Sequence, residues 1–419
     1  MAAAPAPGQA SPAWNGEGLP EHWSFDVGVL RVDERKLHDL HASATRSGTH
    51  WQTQVQAREL AGRLEYTEGA RGQPGAVRAR LSRLNLAASD AADANALEQP
   101  PSRIPALDIV VDDFELHGRK LGRLEVQAVN LDVDKARAAP GAEALHEWQL
   151  TRLALTVPEA SLSASGRWAA QPGAPALPPG TRSVRSAEDQ RRTALDFKLE
   201  VRNAGALLAR FGMAGVLRGG QGQVAGELGW VGSPYSPHYA SMDGQLHLDI
   251  GAGQFLKAEP GLAKLLGVLS LQALPRRLTL DFRDVFSSGF AFDFVRGDAK
   301  VTHGVARTSN LQMKGVNAAV LMDGQVNLDA ETQKLRVLVV PEIDAGTAAL
   351  ATALINPAIG LGAFVAQLVL KQPLAQAATR EFEITGSWDN PEVVPVKPSA
   401  DAAAAAASAA AAASAPKEK

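Results

Sequence analysis

Two histidines three residues apart, His38 and His41, come closest in this chain to the spacing of a metal-binding pair. Zinc chemistry of the helical H-E-x-x-H type needs a glutamate beside the first histidine and a helix to bring both rings to one face. Neither is present, and the surrounding residues read as strand or loop, so the pair is expected to be two exposed polar side chains. Asp112-Asp113 and the pair Asp132 and Asp134 raise calcium as a question. Calcium loops supply oxygen ligands at fixed offsets around a sharp glycine turn, and that spacing is missing. Aspartates on the wet face of a strand account for them. Gly219-Gly220-Gln221-Gly222 lacks the Lys-Ser/Thr of a phosphate-binding loop and precedes a strand pattern, which makes it a turn. No G-x-S-x-G elbow occurs, and no serine has a convincing histidine partner. Catalysis therefore finds little support, and no cofactor is expected.

The elements that would position such residues are mostly strands. Trp23, Phe25, Val27 and Val29 alternate with Ser24 and Asp26, and Leu107, Ile109 and Val111 alternate with Asp108 and Asp112. Leu195, Phe197, Leu199 and Val201 follow the same rule, as do Leu335, Val337 and Val339, and later Phe382 and Ile384. Leu278, Leu280 and Phe282, then Phe290, Phe292 and Phe294, repeat it on either side of the Ser287-Ser288-Gly289 turn. A period of two with apolar residues on one side means a sheet with one greasy and one polar face, paired antiparallel through short turns. Between Leu124 and Val133 the phase slips, which requires either a bulge or two separate strands. Met242-Asp243-Gly244-Gln245 returns as Met322-Asp323-Gly324-Gln325, each read as a turn-prone Asp-Gly opening a strand. Glycine also precedes tryptophan at three strand ends, around Trp168, Trp230 and Trp388. Recurring strand-and-turn units favour an elongated, stacked architecture.

Three segments read as helical. Residues 204–211 follow Asn203, a suitable N-cap, and stop at Gly212. Residues 260–274 carry an apolar stripe at helical spacing. Residues 345–370 contain no charge. Asn356-Pro357 interrupts the last run, so it reads as two short helices, about 347–355 and 358–370. These pack over the sheet, lie on a membrane surface or cross a bilayer; the residues Leu354, Ile355, Ile359, Leu361, Phe364, Val365 and Leu368 would be buried in each case.

The chain has 419 residues, a net charge of −3 and no cysteine. Mixed charge offers no concentrated field for nucleic acid, and disulfides and thiolate metal sites are excluded. Residues 1–21 read as an Ala/Pro linker without the features of a secretory signal. The chain is then either cytoplasmic or a piece of a longer protein targeted by an upstream segment. Residues 22–190 read as amphipathic strands, 191–396 as a second sheet region with capping helices, and 397–419 as an Ala/Ser low-complexity tail.

From about Asn203 onward the chain resembles the C-terminal domain of AsmA-like proteins of the YhdP type. The residues that carry the likeness are ALLARFGMAGVLRGGQGQVAGELGWVGSP (206–234), MDGQLHLDIGAGQFLKAEPG (242–261), LLGVLSLQALPRRLTLDFRDVFSSGFAFD (265–293), TALINPAIGLGAFVAQLVLKQPL (352–374) and EFEITGSWDNPEV (381–393). They are long, consecutive and in order. Residues 23–168 resemble the preceding strands of that family through patterning alone.

The resemblance implies a mainly β fold: a long, twisted antiparallel sheet curled into a groove and capped by a few short helices near the C-terminus. It further implies the distal segment of a bridge-like phospholipid transporter in the periplasm of a Gram-negative envelope. Such a protein shields acyl chains between inner and outer membranes and supports the permeability barrier. Its partners would be phospholipids, the inner leaflet of the outer membrane or a protein there, and the rest of a longer bridge upstream. The groove candidates are Leu278, Leu280, Phe282, Phe290, Phe292 and Phe294. The same residues could instead form a sandwich core sealed by helices, and a purely structural or docking module is the competing function.

Overall fold

The computed structural model describes residues 21–32, 35–69, 74–86, 104–132, 146–170, 191–234, 237–256, 290–315, 318–341, 380–388 and 390–396. Nineteen strands form a single sheet. The first nine are β1 (His22–Val32), β2 (Arg35–Ser47), β3 (His50–Gln56), β4 (Leu60–Thr67), β5 (Ala76–Leu86), β6 (Ala106–Leu116), β7 (Arg119–Asp132), β8 (His146–Val157) and β9 (Ala160–Ala170). A short helix, α1 (Ala204–Arg210), follows β10 (Arg191–Val201) and precedes β11 (Leu217–Gly219), β12 (Gly222–Val231) and β13 (Asp243–Phe255). The sheet continues with β14 (Phe290–Thr302), β15 (Val305–Gly315), β16 (Ala318–Asn327), β17 (Thr332–Pro341), β18 (Arg380–Ser387) and β19 (Pro391–Val396).

From β1 to β10 each strand pairs with the next in the chain, antiparallel except for the parallel pair β5–β6. From β10 onward the meander runs to β19, with β11 and β12 lying end to end along β13. At ~4.8 Å per strand the sheet is roughly 80 Å long across its strands. It is mixed rather than purely antiparallel, and it is neither closed nor strongly curled, unlike the curled groove expected from the sequence. The sheet crosses from β9 to β10 through a continuous ladder from Arg191↔Ala170 to Val201↔Ala160.

The helix expected after Asn203 is α1. Its cap forms as the residue type dictates: the Asn203 side-chain oxygen accepts from the Ala206 N–H at 3.0 Å, and Gly212 ends the segment with a φ of 86°. Arg210 in its last turn fastens it to the sheet, donating to both Glu159 oxygens at 2.9 and 2.7 Å and to the Lys120 carbonyl. Among the described residues no helix is long and apolar enough to cross a membrane. The segments 260–274 and 345–370 lie outside the described residues.

Three departures from simple alternation reshape the faces. Asp39 adopts a φ of 53°, and beyond it Leu30 and Leu37 join the apolar cluster while Val29 is exposed. Residues 124–132 are neither broken nor bulged: β7 is one strand that keeps its alternation, and the extra residue, Thr151, lies on β8 opposite Gln127 and Ala128. Val129 and Leu131 stay exposed on the polar side. Along β14 and β15 the register shifts between Phe292 and Phe294.

The Met-Asp-Gly-Gln repeat is structural, but only the first copy opens a strand. Asp323-Gly324 lies inside β16, in ladder with Arg336 and Leu335 of β17. What the copies share is an aspartate held by arginine and a glycine pressed on a neighbouring backbone. Arg192 donates to Asp243 at 3.1 Å, and Arg336 grips Asp323 through two bonds of 3.1 and 2.9 Å. Gly244 and Gly324 have φ values of 152° and 135°, and a Cβ would come within 2.0 Å of the Glu227 carbonyl oxygen or 2.3 Å of the Lys334 carbonyl oxygen. Gly324→Ala is therefore expected to cost at least about 1–3 kcal/mol from backbone strain. A lowered urea midpoint, with Gln325→Ala near wild type, is the result to look for.

Candidate functional site: the apolar face

Following the ladder from strand to strand traces one apolar row from β1 to β13. Phe25, Ala42, Val55, Gly62, Leu81 and Val111 are direct neighbours in sequence of pairing, and the row continues through Leu124, Leu155, Leu162, Leu199, Val224 and Leu248. One residue along, on the opposite face, the row reads Ser24, Ser43, Gln54, Arg63 and Arg80, and later Ser163, Lys198, Ala225, His247 and Asp298. Strand alternation produces the two faces; pairing joins the local patterns of these twelve strands into one row.

Burial along this face is uneven. From β14 to β19 it is packed: Phe290, Phe292, Val320, Val337, Phe382 and Ile384 belong to one buried cluster. Val111, Leu81 and Ala79 are likewise buried near β5 and β6. Between them, from β7 to β13, Leu124, Leu155, Leu162, Leu199, Val224 and Leu248 are only half-buried, as is Phe197 in the adjoining row. This strip crosses six adjacent strands, roughly 24 Å. It has the chemistry of a lipid surface: aliphatic walls, no charge and no strong polar anchor.

The groove candidates separate on this frame. Phe290 and Phe292 are 4% and 3% exposed and lie within the packed cluster. The Phe292 ring meets Phe255 with centroids 5.2 Å apart. Phe294 lies past the register shift, where its partner is Lys314 and the Arg296 guanidinium sits 4.0 Å from its ring centroid, on the polar face. Leu278, Leu280 and Phe282 lie outside the described residues, as do Leu354, Ile355, Ile359, Leu361, Phe364, Val365 and Leu368. The half-buried strip of β7 to β13 went unnoticed in the sequence as a site, although its alternation was visible in Leu195, Phe197 and Leu199.

The polar face is bound into itself. A trough of about 1340 Å³ runs over β8 to β15, lined among others by Ser163, Lys198, Glu227, His247, Asp298 and Arg307. His247 Nδ1 and Asp298 are 2.7 Å apart, and Asn310 donates to Asp298 at 2.7 Å. These bonds, the His247 contact foremost, hold the Asp298 carboxyl below the usual carboxylate range. Hydrogen bonds from Arg210 do the same for Glu159. Asp243 is lowered chiefly by the His303 backbone N–H, with Arg192 contributing. A carboxylate whose folded pKa is depressed contributes stability that is complete above its unfolded pKa and is lost as pH falls through the folded one. The protein is thus expected to lose stability as pH drops below the ordinary carboxylate range, and Asp298→Asn should flatten that dependence. Urea midpoints measured from neutral pH down to about pH 3 test both statements.

The other chemical candidates dissolve into ordinary pairs. His38 contacts Glu59 at 2.7 Å, His41 contacts Asp26, and Arg123 donates to Asp112. Among the described residues no group of three or more His, Asp or Glu is arranged to hold a metal. Asp134 lies outside the described residues. Gly219 and Gly220, both with positive φ, form the joint between β11 and β12.

Comparison with known proteins agrees with this geometry. A family model described as YhdP protein matches residues 6–393. The intermembrane phospholipid transporter YhdP of Escherichia coli (strain K12) is 31% identical over 233 residues, which is 55% of this chain and 17% of that protein. The chain thus spans a small part of the length of this relative. No solved structure matches.

Proposed function

The chain belongs to the YhdP family, and from that premise we propose that it is a segment of an intermembrane phospholipid transporter whose apolar face shields acyl chains from water. Exposing a sixteen-carbon chain costs on the order of 12 kcal/mol, at about 0.8 kcal/mol per methylene. An unbroken aliphatic surface removes that barrier without binding at any one point strongly enough to trap the cargo. The observation that carries the reading is the half-buried strip of β7 to β13, which continues the apolar row of β1 to β6.

In this reading the protein is a carrier and not an enzyme, it works in the periplasm, and it delivers lipid toward the outer membrane as the distal part of a longer bridge that supports the permeability barrier. Residues 22–190 supply one length of the surface and 191–396 the next. Phe290 and Phe292 close its packed end. The sheet is neither closed nor strongly curled, and head groups are left in solvent.

The test is a photo-crosslinking residue placed at Leu199 or Leu248, with Lys198 on the opposite face as control. Phospholipid adducts at the first two positions and none at the third are expected in cells. Equal labelling at all three, or none at either apolar position, overturns the proposal. A chain that captures no lipid yet still sediments with outer membranes is a docking module.

A further inference from the structure

Every described tryptophan and tyrosine lies on one long edge of the sheet. Trp23, Trp51, Trp148, Trp168 and Trp230 stand within three residues of strand ends on that edge, and Trp388 directly follows β18 there. Tyr66 is in ladder with Trp51, and Tyr239 occupies the 3-10 turn between β12 and β13. Pairing proves the shared edge in its central part: Trp148 lies opposite Trp168, Trp168 opposite Thr193, and Thr193 opposite Trp230. The five indoles that lie on strands have the parity of the apolar face. Phenylalanine is less segregated: Phe114, Phe255, Phe290, Phe292 and Phe382 lie toward the edge that carries α1, Phe197 lies in mid-strand, and Phe25 stacks on Trp23 near the indole edge.

We propose that the indole edge is the interfacial rim of the lipid-carrying face, with acyl chains laid across the strip toward the α1 edge and phosphoglycerol head groups ranged along the indoles. The proposal rests on the lipid-carrying reading above and adds the orientation of the cargo to it. Tryptophan and tyrosine prefer a boundary because each presents an apolar body and one polar group, whereas phenylalanine has no polar group to satisfy. The structure shows such a boundary: Trp51 Nε1 donates to Glu68 at 2.8 Å and Trp230 Nε1 to the Ser233 carbonyl at 2.8 Å. Trp168, 1% exposed, packs with Trp148 and Ala128, and its Nε1 has no acceptor among the described residues. Cations accompany the rings, as an anionic phosphate requires. The Arg46 guanidinium lies 5.2 Å from the Trp51 ring centroid, and that of Arg191 lies 5.6 Å from Trp168.

The segregation makes native tryptophan emission a reporter for this edge. Trp14, outside the described residues, is replaced by Phe so that every remaining indole reports from it. The full chain is loaded with phosphatidylcholine brominated either close to the ester bonds or close to the methyl terminus, and retained phosphate is assayed in parallel. A greater loss of emission with the ester-proximal bromines is expected. Equal quenching, greater quenching from the methyl end, or no quenching while phosphate is retained overturns the rim. Failure to retain phosphate overturns the lipid-carrying reading itself, and the rim with it.

Discussion

Phe197→Asp is expected to strip phospholipid from the protein while leaving its sheet folded. Phe197 lies in the middle of the accessible strip, with Ala164 on one neighbouring strand and Gly226 on the other. Its side chain is half-buried. In the unloaded protein a carboxylate there keeps contact with water across the small side chains beside it. Under a layer of acyl chains it would lose that water with no cation to replace it, at a cost of several kcal/mol. Each 1.4 kcal/mol is about tenfold in affinity, so lipid retention should fall by at least about tenfold. Lys198→Glu, one residue along and on the other face, should leave retention unchanged. Lipid content of the purified variants, read by phosphate assay or mass spectrometry, decides the matter. Equal retention in both variants would remove the strip as the lipid surface.

Phe292→Ala should produce the largest loss of stability among the residues singled out in the sequence. The ring is 3% exposed, packs on Phe255 and lies over Gly253, where even a Cβ would be 2.6 Å from its Cζ. Removing such a side chain typically costs about 3–5 kcal/mol, the transfer energy plus the cavity left behind. Phe294→Ala, two residues away, should cost only about 0.5–1 kcal/mol for the contact with Arg296. Urea unfolding gives the totals, and amide exchange along β13 to β15 shows whether the loss is local. Comparable costs at the two positions would show that the register shift between them has been placed wrongly.

That contrast also marks where reading the residues reaches its limit. The alternation of Phe290, Phe292 and Phe294 places three rings on one face. The bulge turns the third away, because one extra residue in a period-two element reverses every side chain beyond it. Val29 is exposed where Asp39 takes a left-handed φ without any shift of register, and Val129 and Leu131 are in water because β7 keeps its alternation while the extra residue, Thr151, lies on β8. Bulges leave little trace in composition, so faces were legible over four or five residues and drifted beyond. Capping is different. Asn203 and Gly212 bound α1 as their side chains require, because the relevant hydrogen bond closes within three residues.

The Asp-Gly repeat lies between these cases. Its recurrence is visible in the sequence, and its common function is a grip between aspartate and arginine beside a close backbone approach. The arginines are not part of the repeated words. Arg192 reaches Asp243 from 51 positions earlier, and Arg336 reaches Asp323 from 13 later. Spacing alone cannot select such partners.

The amino-acid sequence determined that the protein is mainly β, that its strands have an oily and a wet side, and that, without a cysteine, it has no thiol chemistry. These are consequences of residue type and nearest-neighbour order, and they survive any arrangement of the strands. Which oily residues stay within reach of a ligand, and that all the described indoles border one edge, was decided by strand pairing. Trp148, Trp168 and Trp230 are tens of residues apart in the chain and become neighbours only when β8 to β12 are laid side by side. A continuous surface is a property of register, and register is set jointly by bulges, turns and the packing of every strand against the next.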